Sequence, residues 1–180
     1  MKIAFIGTHG TGKTTLSYEL AAELKKLGIN AVMINELARL CPLPINKSCS
    51  FSSQLWIMAS QIVEEIEHSV NYNDIICDRS VLDSYVYALV TGCANESLEK
   101  LAEEWIKTYD YLFKVPVTRP LTPDGVRSMD KDFQIKVDKM MDKVLREKGI
   151  KFFQLPNENQ IEFVMEIIKK NEMQNMQTKN

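Results

Sequence analysis

KIAFIGTHGTGKTTL, residues 2–16, decides how the rest of the chain is read. Its first part, Lys2 to Ile6, is a short apolar run with the length and composition of a buried strand. Gly7 to Thr14 then fits G-x-x-x-x-G-K-[ST] without a mismatch, and a helical pattern from about Lys13 to Leu27 opens inside it. A strand, a glycine turn and a helix in that order make a cradle for phosphate. The glycines let the backbone curl so that its N–H groups point inward, and the helix N-terminus adds partial positive charge. Gly7, Thr8, His9, Gly10, Thr11, Gly12, Lys13, Thr14 and Thr15 are therefore the candidate nucleotide-binding residues. Lys13 is placed to reach the β- and γ-phosphates, and the Thr14 hydroxyl to ligate Mg²⁺. His9 has no catalytic task in this reading.

Outward from the loop, short apolar runs alternate with helical patterns. Ala31–Ile34, Asp74–Cys77, Tyr111–Val117 and Ile150–Leu155 read as strands. Helices are expected over about Leu55–Ile66, Leu82–Thr91, Glu96–Thr108, Asp130–Lys148 and Ile161–Lys170, with Asn157 and Gln160 as a capping pair for the last. In the first of these, Leu55, Met58, Ala59, Ile62, Val63 and Ile66 repeat at 3/4 spacing and are expected to pack on the sheet. Residues 41–53 look unstructured, and the polar tail 171–180 lacks periodicity. The alternation implies one α/β domain over residues 1–170, a three-layer sandwich with helices on both faces of a parallel sheet. In such sheets ligands bind beyond the carboxyl ends of the strands. Residues just after each strand can thus share one site.

Composition narrows the class. The 180 residues are 45% hydrophobic and 26% charged, ordinary for a globular chain, with a net charge of -2 that offers no global field for nucleic acid. No apolar run approaches the roughly 20 residues of a membrane span, and Lys2 begins a strand-like segment instead of a signal peptide. Cys41, Cys49, Cys77 and Cys93 lack close-pair metal spacing, which suits reduced thiols in a cytoplasmic protein.

Acids and arginines gather at the strand ends. Glu36 and Arg39 follow the second strand, where a carboxylate could orient an acceptor hydroxyl and take its proton; a surface Glu–Arg pair fits the same spacing. Asp78, Arg79 and Ser80 follow the third strand. Asp78 stands where an acid would hold Mg²⁺, or would recognise substrate with Arg79. Asp83 is a weaker candidate. Arg119 and Arg127 lie in a loop shaped by Pro120, Pro123 and Gly125, a cover able to neutralise a transferring phosphoryl group. Arg39, Arg79, Arg119 and Arg127 all follow strand ends; only Arg146 does not. No Asn-Lys-x-Asp pattern follows the fourth strand, where Val117-Thr118-Arg119-Pro120 stands, so ATP is expected in preference to GTP.

GTHGTGKTTL, NELAR, DRSVLDSYVYA, YDYLFKVPV and DGVR together resemble the NadR-like group of P-loop kinases, which includes ribosylnicotinamide kinase domains and is grouped with AAA-type ATPase domains. The order of parts also resembles thymidylate and deoxynucleoside kinases. The resemblance implies a five-stranded parallel sheet of order 2-3-1-4-5. It also implies ATP and Mg²⁺ as cofactors, a small nucleoside-like or nucleotide acceptor as partner, and a homodimer as the common assembly. By position, Glu36 matches the acid near the acceptor hydroxyl, Asp78-Arg79 the substrate and metal segment, and Arg119 and Arg127 the lid. Two other readings stay open: an ATP-driven switch that works through a partner helix, and a kinase acting on nucleic acid, against which the near-neutral charge weighs.

Overall fold

The computed structural model describes residues 1–126 and 128–177. Five parallel strands, β1 (Lys2–Ile6), β2 (Ala31–Ile34), β3 (Asp74–Asp78), β4 (Tyr111–Lys114) and β5 (Phe153–Gln154), form one sheet in the order β2-β3-β1-β4-β5. Helices α1 (Lys13–Lys26), α2 (Phe51–Ser69), α3 (Val81–Thr91), α4 (Glu96–Ile106), α5 (Lys131–Glu147) and α6 (Gln160–Gln177) join them. The pleat of β1 shows why there are two cores. Ala4 and Ile6 face a cluster containing Met58, Val81, Leu82, Leu98 and Val137, from α2 to α5. Ile3 and Phe5 face the other way, against Leu16, Leu20 and Leu24 of α1 and Val164 and Ile168 of α6. A strand buried on both faces reads as a continuous apolar run, as β1 does.

Several elements depart from the sequence expectation. Helix α2 starts at Phe51, inside the stretch expected to be irregular, because Ser50 and Ser53 cap it reciprocally. It is also turned. Its buried face carries Ser53, Gln54, Ile57, Met58, Gln61 and Glu65, whereas Leu55, Ala59, Val63 and Ile66 are exposed. The polar residues go inward because partners await them: Glu65 accepts from Lys2 Nζ at 2.8 Å, Trp105 Nε1 at 2.7 Å and Gln61 Nε2 at 2.8 Å, and from the Tyr109 hydroxyl.

Strand β4 ends at Lys114; Val115 still donates to the Ile6 carbonyl, but Pro116 has no N–H to continue. β5 is only two residues long, at the sheet's edge. Helix α6 continues to Gln177, beyond the expected end at Lys170. Asn157 is not its cap: the first intrahelical bond goes to the Asn159 carbonyl, and the Gln160 side chain donates to the Pro156 carbonyl. No helix among the described residues is long and apolar enough to cross a membrane.

Candidate active site

The loop from Gly7 to Gly12 lies beyond the carboxyl end of β1, the central strand. Gly7 has φ +130°, which would strain any side chain, and a Cβ there would also crowd the Val115 carbonyl oxygen at 3.2 Å. Gly12, at φ +97°, starts α1. Lys13 is buried, and its ammonium donates to the Thr8 carbonyl and weakly, at 3.4 Å, to Thr11 Oγ1. Burial, aided by repulsion from Arg79, lowers its pKa to about 8.

Thr14 Oγ1 donates to Asp78 Oδ2 at 2.5 Å, joining the loop to the end of β3. The other carboxylate oxygen, Oδ1, is buried with no hydrogen-bond partner among the described residues. Burial raises the Asp78 pKa against the pull of Lys13. An orphaned hard oxygen beside a hydroxyl fits the first coordination shell of Mg²⁺, which prefers oxygen donors and completes its shell with phosphate and water. Thr14 and Asp78 are the residues that would hold it. No cluster of three or more His, Cys, Asp or Glu side chains offers another metal site among the described residues.

Glu36 lies just past β2, at the start of a 3₁₀ turn, Leu37–Leu40. Its Oε1 accepts from Arg79 Nε at 2.7 Å and its Oε2 from Arg39 Nε at 2.9 Å. Burial alone would raise the carboxyl pKa, but Arg79, Lys13 and Arg39 together hold it down at about 2. Arg39 also donates to Asp124 at 2.6 Å, so the loop after β4 is latched across the site. Asn46 Nδ2, bonded to the Val126 carbonyl at 2.8 Å, and an ion pair between Lys47 and Asp130 fasten the same loop.

These residues enclose a cavity of about 130 Å³ whose lining brings His9 to Thr15, Glu36, Arg39, Asp78 and Arg79 together. Gln54, Ile57, Ser84 and Tyr87 complete its wall from α2 and α3. The sequence reading singled out none of these four. Asp83 proves more important than a first-turn acid: it is buried, accepts from Gly7 N at 3.0 Å, and accepts from Ser80 N at 2.9 Å and Ser80 Oγ at 3.0 Å. The Ser80-Val81-Leu82-Asp83 spacing of a capping box was the available signal.

Arg119 stands elsewhere. Together with residues 157–162 it lines a second cavity that shares Thr11, Gly12 and Thr15 with the first, and its Nη1 lies 3.8 Å from where a Cβ on Gly12 would stand. Arg127 lies outside the described residues.

A family model described as AAA domain matches residues 2–162. The chain belongs to this AAA domain family. This domain is 29% identical over 166 residues to a probable thymidylate kinase of Methanococcus aeolicus, covering 89% of this chain and 81% of that protein. The AAA domain also has the fold of deoxyadenosine kinase from M. mycoides with bound dATP, at TM-score 0.66 and 20% identity over 94% of this chain and 99% of that one. NadR protein in complex with NR gives TM-score 0.66 and 23% identity, covering 88% of this chain and 46% of NadR. The motif resemblance and the sheet order it implied therefore agree with these comparisons.

Proposed function

We propose that this chain transfers the γ-phosphoryl group of Mg·ATP to a hydroxyl of a small nucleoside-like acceptor. One observation carries this reading: the phosphate loop, Lys13, Glu36 and Arg79 line the same cavity, so phosphate-holding and hydroxyl-orienting groups meet. The names of the relatives, kinases of a nucleotide and of a nucleoside, support the reaction class.

The loop N–H groups and Lys13 would hold the β- and γ-phosphates. Mg²⁺, held by Thr14 and Asp78, would neutralise charge between them. Glu36 would accept a hydrogen bond from the acceptor hydroxyl and aim its oxygen along the line of transfer. A carboxyl held near 2 is a weak base, so its main task is orientation. The proton leaves for Glu36 as the new P–O bond forms and the bond to the departing ADP breaks. Arg79 would hold the Glu36 carboxylate in that orientation through its Nε, 2.7 Å from Oε1. Arg119 lines the second cavity and not the one that holds Glu36 and Arg79.

The acceptor wall favours an uncharged nucleoside over a nucleoside monophosphate. Among the described residues, both arginines of the cavity are already engaged by carboxylates, Arg39 by Glu36 and Asp124, and Arg79 by Glu36 and Asp83. Gln54, Ser84, Ile57 and Tyr87 add neutral hydrogen-bonding and apolar surface. Glu36→Gln should lower the turnover of acceptor phosphorylation about 100-fold with the KM for ATP little changed. An unchanged turnover removes Glu36 from the reaction.

A further inference from the structure

Arg79 has φ +88°, a backbone conformation that side chains other than glycine rarely adopt. Such strain persists only where the surroundings over-determine it. Here Arg79 N donates to the Phe5 carbonyl, Nε donates to Glu36, Nη1 lies 3.8 Å from Asp83, and the guanidinium lies over the Tyr87 ring at 5.4 Å. Two of these supports reach back to the phosphate loop. Asp83 does so through Gly7 N, at the loop's first residue. Tyr87 does so at the turn facing phosphate: its hydroxyl shares a 2.8 Å hydrogen bond with His9 Nδ1.

His9 is itself held from a third direction. Its carbonyl accepts from Gln134 Nε2 at 2.8 Å, its neighbour Thr8 donates to the Gln134 carbonyl at 3.1 Å, and its ring lies 5.8 Å from that of Phe133. The loop turn cannot shift without carrying the Tyr87 hydroxyl or breaking its bond. Packing alone does not call for that hydroxyl, because a phenylalanine would present the same ring edge to Phe133.

We propose that His9 and Tyr87 are positioning residues: their hydrogen bond fixes the phosphate loop to the ring that supports Arg79, so that nucleotide entering the loop sets the Arg79–Glu36 pair. Neither residue touches the reacting atoms in this account. Both act through Arg79. Their kinetic effect rests on the kinase reading above, whereas the coupling between the loop and Arg79 does not.

Tyr87→Phe keeps the ring and removes the bond; His9→Phe removes the other partner, and His9→Asn retains an amide near the Nδ1 position. Each of the first two should lower kcat about tenfold, with the KM for ATP within about twofold in Tyr87→Phe, whose ring lines the acceptor side of the cavity. The double variant should be no worse than either single one, and His9→Asn should recover most of the rate. The second readout needs no catalysis. Addition of Mg²⁺ and a non-hydrolysable ATP analogue should shift the Arg79 Nε–H resonance, assigned by its loss in Arg79→Lys, in the unaltered protein but not in Tyr87→Phe. A wild-type kcat in Tyr87→Phe, additive losses in the double variant, or a resonance shift that survives in Tyr87→Phe would overturn the role. If the unaltered protein phosphorylates no acceptor, the kinase reading fails and the resonance alone decides the coupling.

Discussion

Lys13 shows how a single residue links burial, charge and activity. The loop places an ammonium in a buried site beside Arg79, and its pKa falls from 10.5 to about 8, with Asp83, Asp78 and Glu36 opposing the fall. Below pH 8 it is charged in both folded and unfolded chains, and the full cost of burying it is present. Between about 8 and 10.5 the folded chain has shed a proton that the unfolded chain still carries, so this group's contribution to stability rises with pH there. Activity should move the opposite way. The kcat/KM for ATP should be level below pH 8 and fall above it, because the free protein has lost the charge that meets phosphate. The kcat should fall less, since bound phosphate holds the proton in place. A kcat/KM that stays level to pH 10 would contradict the assignment. At this scale the sequence was uneven. Lys13, Thr14 and Asp78 could be read from the loop motif and the strand-end rule. Gln54, Ser84 and Tyr87 could not, because their roles depend on the rotation of α2 and α3 about their axes.

Helix α2 illustrates what periodicity leaves out. Its 3/4 pattern marks Leu55, Met58, Ala59, Ile62, Val63 and Ile66 as a packing stripe; Met58 and Ile62 do pack on the core, but Leu55, Ala59, Val63 and Ile66 face outward. A pattern rule scores each residue by its own polarity and cannot register a buried carboxylate whose donors come from distant elements. Glu65 is such a group, supplied by β1 through Lys2 and by the end of α4 and its following turn through Trp105 and Tyr109. Glu65→Ala should therefore cost about 3 kcal/mol, measured by urea unfolding, because the remaining donors lose their shared acceptor in a buried setting. A loss below about 1 kcal/mol would mean the network is replaceable by packing. The short β5 has a related cause. Residues 150–155 suit a strand, but only Phe153 and Gln154 pair in register with β4, and Leu155 adds one bond to the Lys114 carbonyl.

Across the whole molecule, alternating strands and helices made the parallel sheet legible, and the loop motif placed its active edge. The sheet order β2-β3-β1-β4-β5 sets β3 beside β1, which is why Asp78 meets Thr14, and β2 beside β3, which is why Glu36 meets Arg79. The loop after β4 was legible as arginine-bearing, but not the division within it: Asp124 latches onto Arg39, whereas Arg119 lines the second cavity beside Gly12. That division depends on side-chain partners far apart in sequence.

Phosphoryl transfer between two ligands in this one site is the reaction to test. Incubation with Mg²⁺ and γ-labelled ATP, alongside nucleosides and their monophosphates, tests it directly. The account predicts label in a nucleoside monophosphate, formed in step with ADP and absent without the nucleoside. Label appearing only as inorganic phosphate, at a rate no acceptor alters, would contradict it.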